Sequence, residues 1–374
     1  MKLTELTRIP HRILEEAAKA GLDRSGDGRA GTLMHVDQET IFSQVNEAFE
    51  GKIEIMDTKQ ALEKYAWVRD LRWSVVERDK DDYTRKVDED FSGGYFMRIL
   101  PGAEIVFPLQ SCLMITRPGL EQRIHNIVVA EEGSKAHIIS GCIQHSEARE
   151  GRHLGISEFF VRKNAYLNFT MIHDWSVDTF VRPRSGALVD DGGTFVSNYV
   201  CLRPVKDLQM LPVALCRGKE SKAIFTSILY GQEGSLIDVG SKAILTGEGS
   251  RSEMTSRVIV RRGSRIIARG LIDGDNKSAY GHLECKGLLL DDESFINSIP
   301  ELIARRAGVE ITHEAAVGKI SDKEINYLMT RRLSHDEAVS LIVRGFMDVS
   351  IMGLPKTLSD EMNSIVDLVA SSAI

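Results

Sequence analysis

A chain of 374 residues with 43% hydrophobic content can bury one large core or two modest ones, which excludes a disordered polymer. Its net charge of −7 gives no basic footprint for nucleic acid or an anionic membrane. No apolar run reaches the roughly 20 residues that cross a bilayer, and MKLTELTRIPHRILEEAAKAG places charges where a signal peptide carries its apolar stretch. A cytoplasmic chain with a protein or metal partner is therefore expected. Five cysteines (Cys112, Cys142, Cys201, Cys216 and Cys285) form no paired framework and no CxxC, so reduced thiols are expected, and any metal site must be assembled by the fold or between chains.

Residues 1–90 read mainly as helices. Pro10 suits a first helical turn, and Ile13, Leu14 and Ala17 follow at helical spacing until Gly21. Asp57 or Thr58 caps a second helix carrying Ala61, Leu62, Tyr65, Val68, Leu71 and Val75. The mixed-sign run from Glu77 to Asp82 and the segment Arg182-Pro183-Arg184 read as solvated surface.

From about residue 91 to 310 the pattern becomes short β-type runs punctuated by glycine, with no helix-length apolar period for roughly 200 residues. Turns at Gly234, Gly249 and Gly263 are each followed by a β-branched run, about one coil of a β-solenoid per repeat; a β-sandwich is the alternative on this pattern. From Ser321 helix returns, with capping boxes expected at Ser321 with Glu324 and at Ser334 with Glu337, each ahead of an amphipathic stretch. Met362, Ile365, Val366 and Val369 suggest a last helix over 359–373. Residues 311–374 thus form a C-terminal helical domain.

The stretch THEAAVGKISDKEINYLMTRRLSHDEAVSLIVRGFMDV resembles the signature tail of the SufB/SufD family of iron–sulfur cluster assembly scaffolds. GYFMRI, PLQSC, EEGSKAHIISGC, TMIHDW, GSRSEMTSRVIV, ARGLIDGD and GHLEC follow in the family's order from about 94 to 349. The resemblance is to an archaeal-type single-chain SufBD variant. It implies a mainly β protein: a right-handed parallel β-helix core flanked by helical regions. It also implies self-association through the β-helix, a SufC-like ABC ATPase docked on residues 320–350, a sulfur donor, and a transient iron–sulfur cluster with no permanently bound cofactor. The chain has no GxxxxGK[ST] loop, so hydrolysis falls to the partner and the chain itself is read as a scaffold, not an enzyme.

In the turn expected at Thr312-His313-Glu314, imidazole and carboxylate are both competent iron ligands. SufD-like chains keep the histidine and SufB-like chains keep histidine then glutamate; this chain has both. Alternatively Glu314 caps a helix and His313 is a packed turn residue. Cys285 either joins them as a soft ligand or fills core. Ser294 stands near the position where bacterial SufB chains carry a cluster-related cysteine. Cys142 matches the family's sulfur-receiving cysteine inside the β-helix, a role for which a nearby cation lowering the thiol pKa would help; it reads equally as a buried small apolar group. Arg98, His153, His173 and Trp175 fall where the family has its sulfur passage, with His173 in place of the bacterial glutamine and Leu100 in place of a polar residue. Cys112, Cys201 and Cys216 read as structural.

Two other functions fit a β-helix. One is a carbohydrate-active enzyme using carboxylates such as Asp273 and Asp275, against which stands an aromatic content of only 6% for stacking sugars. The other is a noncatalytic regulator of an ABC ATPase.

Overall fold

The computed structural model describes residues 10–23 and 28–348, with isolated positions beyond. The helix expected over 359–373 lies outside the described residues.

The N-terminal region is mixed rather than mainly helical. After α1 (His11–Lys19) come β1 (Gly31–Val36), β2 (Glu39–Val45) and β3 (Ile53–Asp57), followed by α2 (Thr58–Lys64), α3 (Ala66–Leu71) and α4 (Asp82–Glu89). β1 is enclosed on both faces, so GTLMHV lacks the polar alternation that marks a half-exposed strand. The single helix expected from Asp57 to Val75 is broken at Tyr65, where the backbone turns extended (φ −125°, ψ 111°). The Tyr65 ring packs on Phe96 and Trp67 and its hydroxyl bonds Glu54, contacts that a continuous helix would pull apart.

The solenoid strands are β4 (Tyr95–Ile99), β5 (Leu109–Ile115), β6 (Glu121–Ala130), β7 (Lys135–Gln144), β8 (Arg152–Val161), β9 (Tyr166–Asp174), β10 (Phe180–Val181), β11 (Arg184–Val189) and β12 (Thr194–Cys201). They continue as β13 (Asp207–Met210), β14 (Val213–Cys216), β15 (Lys222–Gly231), β16 (Leu236–Leu245), β17 (Arg251–Val260), β18 (Arg265–Gly274), β19 (Tyr280–Leu289), β20 (Phe295–Ala304) and β21 (Glu310–Lys319). One sheet runs β2-β1-β5-β7-β9-β12-β15-β17-β19-β21; the other carries β3-β4-β6-β8 and, through β10, β11, β13 and β14, reaches β16-β18-β20. The result is a β-solenoid of about eight turns whose strands pair parallel, except β1 with β2 and β3 with β4.

Leu236 pairs with Arg265 and Arg265 with Phe295, so one coil consumes 29–30 residues. Each glycine turn is therefore half a coil, because every coil has a corner at both sheet junctions. At Gly234 and Gly263 φ is +70° and +69°, and the preceding Glu233 and Arg262 also have positive φ, a left-handed two-residue turn whose second position glycine adopts at least cost. Ser294, buried at such a corner, takes the place that Ser264 and Ser235 hold one and two coils earlier.

Inward residues of both sheets form one apolar core running the length of the solenoid. α1 covers the outer face of the first sheet near its start, and α6 covers it near its end. α2 to α4 cover the first coils of the second sheet. β21 carries the solenoid to Lys319, beyond the expected boundary at 310, before α5 (Asp322–Met329) and α6 (His335–Phe346). Ser334 and Glu337 form the expected capping box on α6, whereas the Ser321 side chain makes no capping hydrogen bond on α5. Arg257 donates to the carbonyl of Phe346 at 3.1 Å, holding the C-terminal end of α6 on the sheet.

Two charged clusters are more than surface. Asp81 caps α4 and accepts from Arg184 at 2.6 Å, and Arg184 is buried, with its remaining donors on the carbonyls of Pro183 and Gln209. The strap between α3 and α4 is held by Glu158, which is fully enclosed. Its carboxylate accepts from the backbone N–H groups of Trp73 (2.6 Å), Val75 (2.8 Å) and Val76 (3.1 Å) and meets His125 Nε2 at 2.7 Å. Trp73 sits at φ +65° in this strap. No described helix is long and apolar enough to cross a membrane.

Candidate functional site: the solenoid lumen and its open end

In a parallel stack, register-paired residues align in rows along the axis at about 4.8 Å per rung. Two inward-facing rows carry the chemistry-bearing side chains. The first runs His35, Leu113, Cys142, His173, Cys201, Leu229. The second, two residues earlier on most of the same strands, runs Ser111, Ser140, Met171, Tyr199, Ser227, Ser256, Cys285, Ala315.

The structure brings Cys142, His153, His173 and Trp175 together. Cys142 and His173 are direct partners on β7 and β9. Ring centroids lie 5.1 Å apart for His153 and Trp175, 5.3 Å for His173 and Trp175, and 6.4 Å for the two histidines. Gln122 gives its amide N–H groups to the carbonyls of Asp37 and Met114, so its Oε1 is left to accept from His153 Nδ1–H at 2.9 Å. That bond fixes the His153 tautomer. Gly155 makes room for the ring, since a Cβ there would lie 2.7 Å from His153 Nε2. Tyr199 Oη meets His173 Nδ1 at 2.7 Å, while His173 Nε2 is buried without a hydrogen bond.

Arg98 is not part of this group. Met97 and Ile99 point inward, so the alternation of β4 turns Arg98 out, where it pairs with Glu131 (2.7 Å) and Glu54 (3.4 Å) beneath Trp67.

Burial pushes the lumen groups around Cys142 toward their neutral forms. Burial lowers His35 to about 4 and His153 to about 3, and holds His173 well below the ordinary imidazole value. Burial raises Cys201 to about 12 and Cys142 well above the ordinary thiol range. The groups acting on Cys142 besides burial are Cys112 and Ser140; no cation is among them. The cation that would help a thiolate form is not among the groups acting on Cys142, and burial favours the protonated thiol. All five cysteines are buried. Iodoacetamide at pH 8 should modify them at least about 100-fold more slowly in the folded protein than in urea; peptide mass spectrometry showing Cys142 alkylated equally fast in both states would contradict this lumen.

Beyond Tyr199 the second row becomes a lane of small hydroxyls. A cavity of about 30 Å³ opens there, its mainly apolar wall of Phe159, Phe169, Phe195 and Phe225 interrupted by the hydroxyls of Ser197 and Ser227. Ser227 and Ser256 hydroxyls meet at 3.1 Å, and Ser256 is the register partner of Cys285. The Cys285 thiol, raised by burial, lies against the Ser298 hydroxyl.

His313 and Glu314 lie on strand β21, not in a turn, so they face opposite ways. His313 is the partner of inward-facing Leu283 and its Nε2 is buried without a hydrogen bond; Glu314 faces outward beside Glu284. His313 shares the lumen face with Cys285, one rung away and two residues displaced, about 8 Å at the main chain. Among the described residues no three His, Cys, Asp or Glu side chains converge as a metal site. Asp273 and Asp275 are taken up by Arg305 and Arg306, each at under 3 Å, which leaves no free carboxylate pair there.

Sequence reading missed His35, Gln122, Tyr199 and Cys201. The run TFVSNYVC gave no signal for the last two, since both faces of its strand are buried and the sequence does not alternate.

Comparison with known proteins adds three findings. Residues 114–346 match the family model described as SUF system FeS cluster assembly, SufBD core domain. An iron-sulfur cluster assembly SufBD family protein of Archaeoglobus fulgidus is 48% identical over 95% of this chain and 94% of its own length. A protein of the same description from Methanothermobacter thermautotrophicus strain Delta H is 42% identical over 98% of this chain and 90% of its own length.

Proposed function

The chain belongs to the SufBD family of iron–sulfur cluster assembly proteins, and from that premise we propose that it is a cytoplasmic scaffold on which a nascent cluster is built at a seam between two copies. The observation that supports the reading is that Cys142, Cys285 and His313 all face the lumen, the last two on its final coils. Sulfur arrives from a donor as a persulfide on Cys142 and passes along the hydroxyl-lined rows. Iron and sulfide, the cargo, meet at Cys285 and His313. One chain supplies two inward ligands, a soft thiolate and an imidazole, and a second copy supplies as many again. In favour of self-association, β21 ends its sheet with an unpaired edge, and Phe295, Leu302 and Val317 on the last coil are exposed. Glu314, outside the lumen, is free to join only at such a seam.

The motive force comes from a SufC-like ABC ATPase docked on α5 and α6, where Tyr327, Met329 and Leu341 are exposed while Ile325, Ala338 and Val343 are buried. Co-expression with the ATPase should yield a complex that is lost when residues 320–374 are removed. Undiminished co-purification of the truncated chain would place the ATPase elsewhere. Anaerobic reconstitution of the full chain with ferrous iron and sulfide should give visible sulfur-to-iron absorbance, and a chain that takes up no iron would remove the scaffold reading.

A further inference from the structure

Past the strap between α3 and α4, the outer face of the second sheet carries an apolar strip. Register aligns Leu188 on β11 with Leu215 on β14 and Ile244 on β16, all outward. Leu188 packs against the core beneath α3 and the strap, whereas Val213, Leu215 and Ile244 are half-buried and belong to none of the apolar cores among the described residues. The next residue in the row, Asp273, is bound by Arg305 and closes the strip. The strap forms the wall at the other end. It comes close to β11 because Gly186 has no side chain: a Cβ there would lie 2.7 Å from Val75 Cγ1 and 3.2 Å from the Val75 carbonyl oxygen. Glu158 fixes the same wall through the N–H groups of Val75 and Val76.

Wall and strip enclose a groove of about 390 Å³, lined also by Lys80, Lys242 and one carboxylate, Glu77. Neither lysine is in a salt bridge among the described residues. The charged groups facing Lys80 are Arg184, Asp81, Glu77 and Lys242, and Asp81 is already committed to Arg184 and to the α4 cap. Burial, together with the Arg184 and Lys242 charges, pushes the Lys80 amine below its ordinary value despite Asp81 and Glu77. An excess of ammonium over carboxylate thus stands beside an apolar floor, and an anion is the group that relieves it.

We propose that this groove binds a small amphipathic carboxylate, its apolar chain on Val213, Leu215 and Ile244 and its head between Lys80 and Lys242. Size selects a small molecule. The floor spans three strands, about 10 Å, far short of the roughly 800 Å² per partner of a stable protein interface. The volume falls among small-ligand pockets of about 300–1,000 Å³. The wall is held in place before any ligand arrives, so little ordering opposes binding. Because the groove lies outside the solenoid, this site is separate from the sulfur and iron chemistry of the lumen.

The test is calorimetric titration of the full chain with octanoate, which should bind one to one. Octanol, with the chain and no charge, and acetate, with the charge and no chain, should each bind at least about tenfold more weakly. Lys80→Met and Lys242→Met keep the aliphatic stem and should each weaken octanoate at least about tenfold, the loss of one charge-assisted contact. Glu77→Gln should tighten it, and Ile244→Asp should abolish it. Octanoate should also raise the melting temperature of wild-type protein and not that of the double lysine variant; melting of the unliganded variants checks that each is folded. Equal affinity for octanol and octanoate, or undiminished octanoate binding in both folded lysine variants, would overturn the site. So would no binding at millimolar octanoate, or capture of the chain by anionic vesicles with none of free octanoate.

Discussion

Replacing Glu158 with alanine should cost about 3–5 kcal/mol of stability, the range for deleting one member of a buried charge-assisted network. The side chain is fully enclosed, and four groups depend on it: the N–H of Trp73, Val75 and Val76, and His125 Nε2. Alanine leaves three backbone donors without acceptors, in a strap that already holds Trp73 at positive φ. The His125 imidazole, whose other nitrogen has no partner, loses its only hydrogen bond, and the Trp73 ring packed on it at 4.5 Å loses a fixed neighbour. Glu158→Gln keeps the shape but turns N–H donors toward N–H donors, so it should recover less than half of the loss. Urea unfolding of the two variants decides the matter. A change below 1 kcal/mol in Glu158→Ala would mean that the strap is not held by this carboxylate.

That network also shows where sequence reading reaches its limit. The coils were legible because glycine corners and β-branched runs repeat locally, and each repeat reports its own conformation. β1 was not legible, because a strand buried on both faces loses the alternation that distinguishes it. Glu158 reads as an ordinary charge within ISEFFV; only the fold brings a strap more than 80 residues away to its carboxylate. The candidate site divides in the same way. Cys142, His153, His173 and Trp175 converge because all four are inward in period-2 runs or at their ends. Arg98 was assigned to the passage by position, and strand parity sends it to the outer face.

Parity also makes the cluster ligands separable by experiment. His313 and Cys285 share the lumen face, whereas Glu314 lies on the far side of β21 beside Glu284. If the cluster is seated at the open end of the lumen, His313→Ala and Cys285→Ser should each lower bound iron and sulfide by at least tenfold after anaerobic reconstitution. A missing ligand to a labile cluster has no neighbouring donor to replace it, since no third ligating side chain converges there among the described residues. Glu314→Gln then reports on the seam. Its carboxylate cannot reach the lumen of its own chain, so a comparable loss requires that a second copy bring it to the site, and sedimentation of the reconstituted protein should find a dimer. An unchanged iron content in Glu314→Gln, with full loss in the other two, confines the cluster to inward-facing ligands. Unchanged iron in all three variants would move the cluster away from the open end.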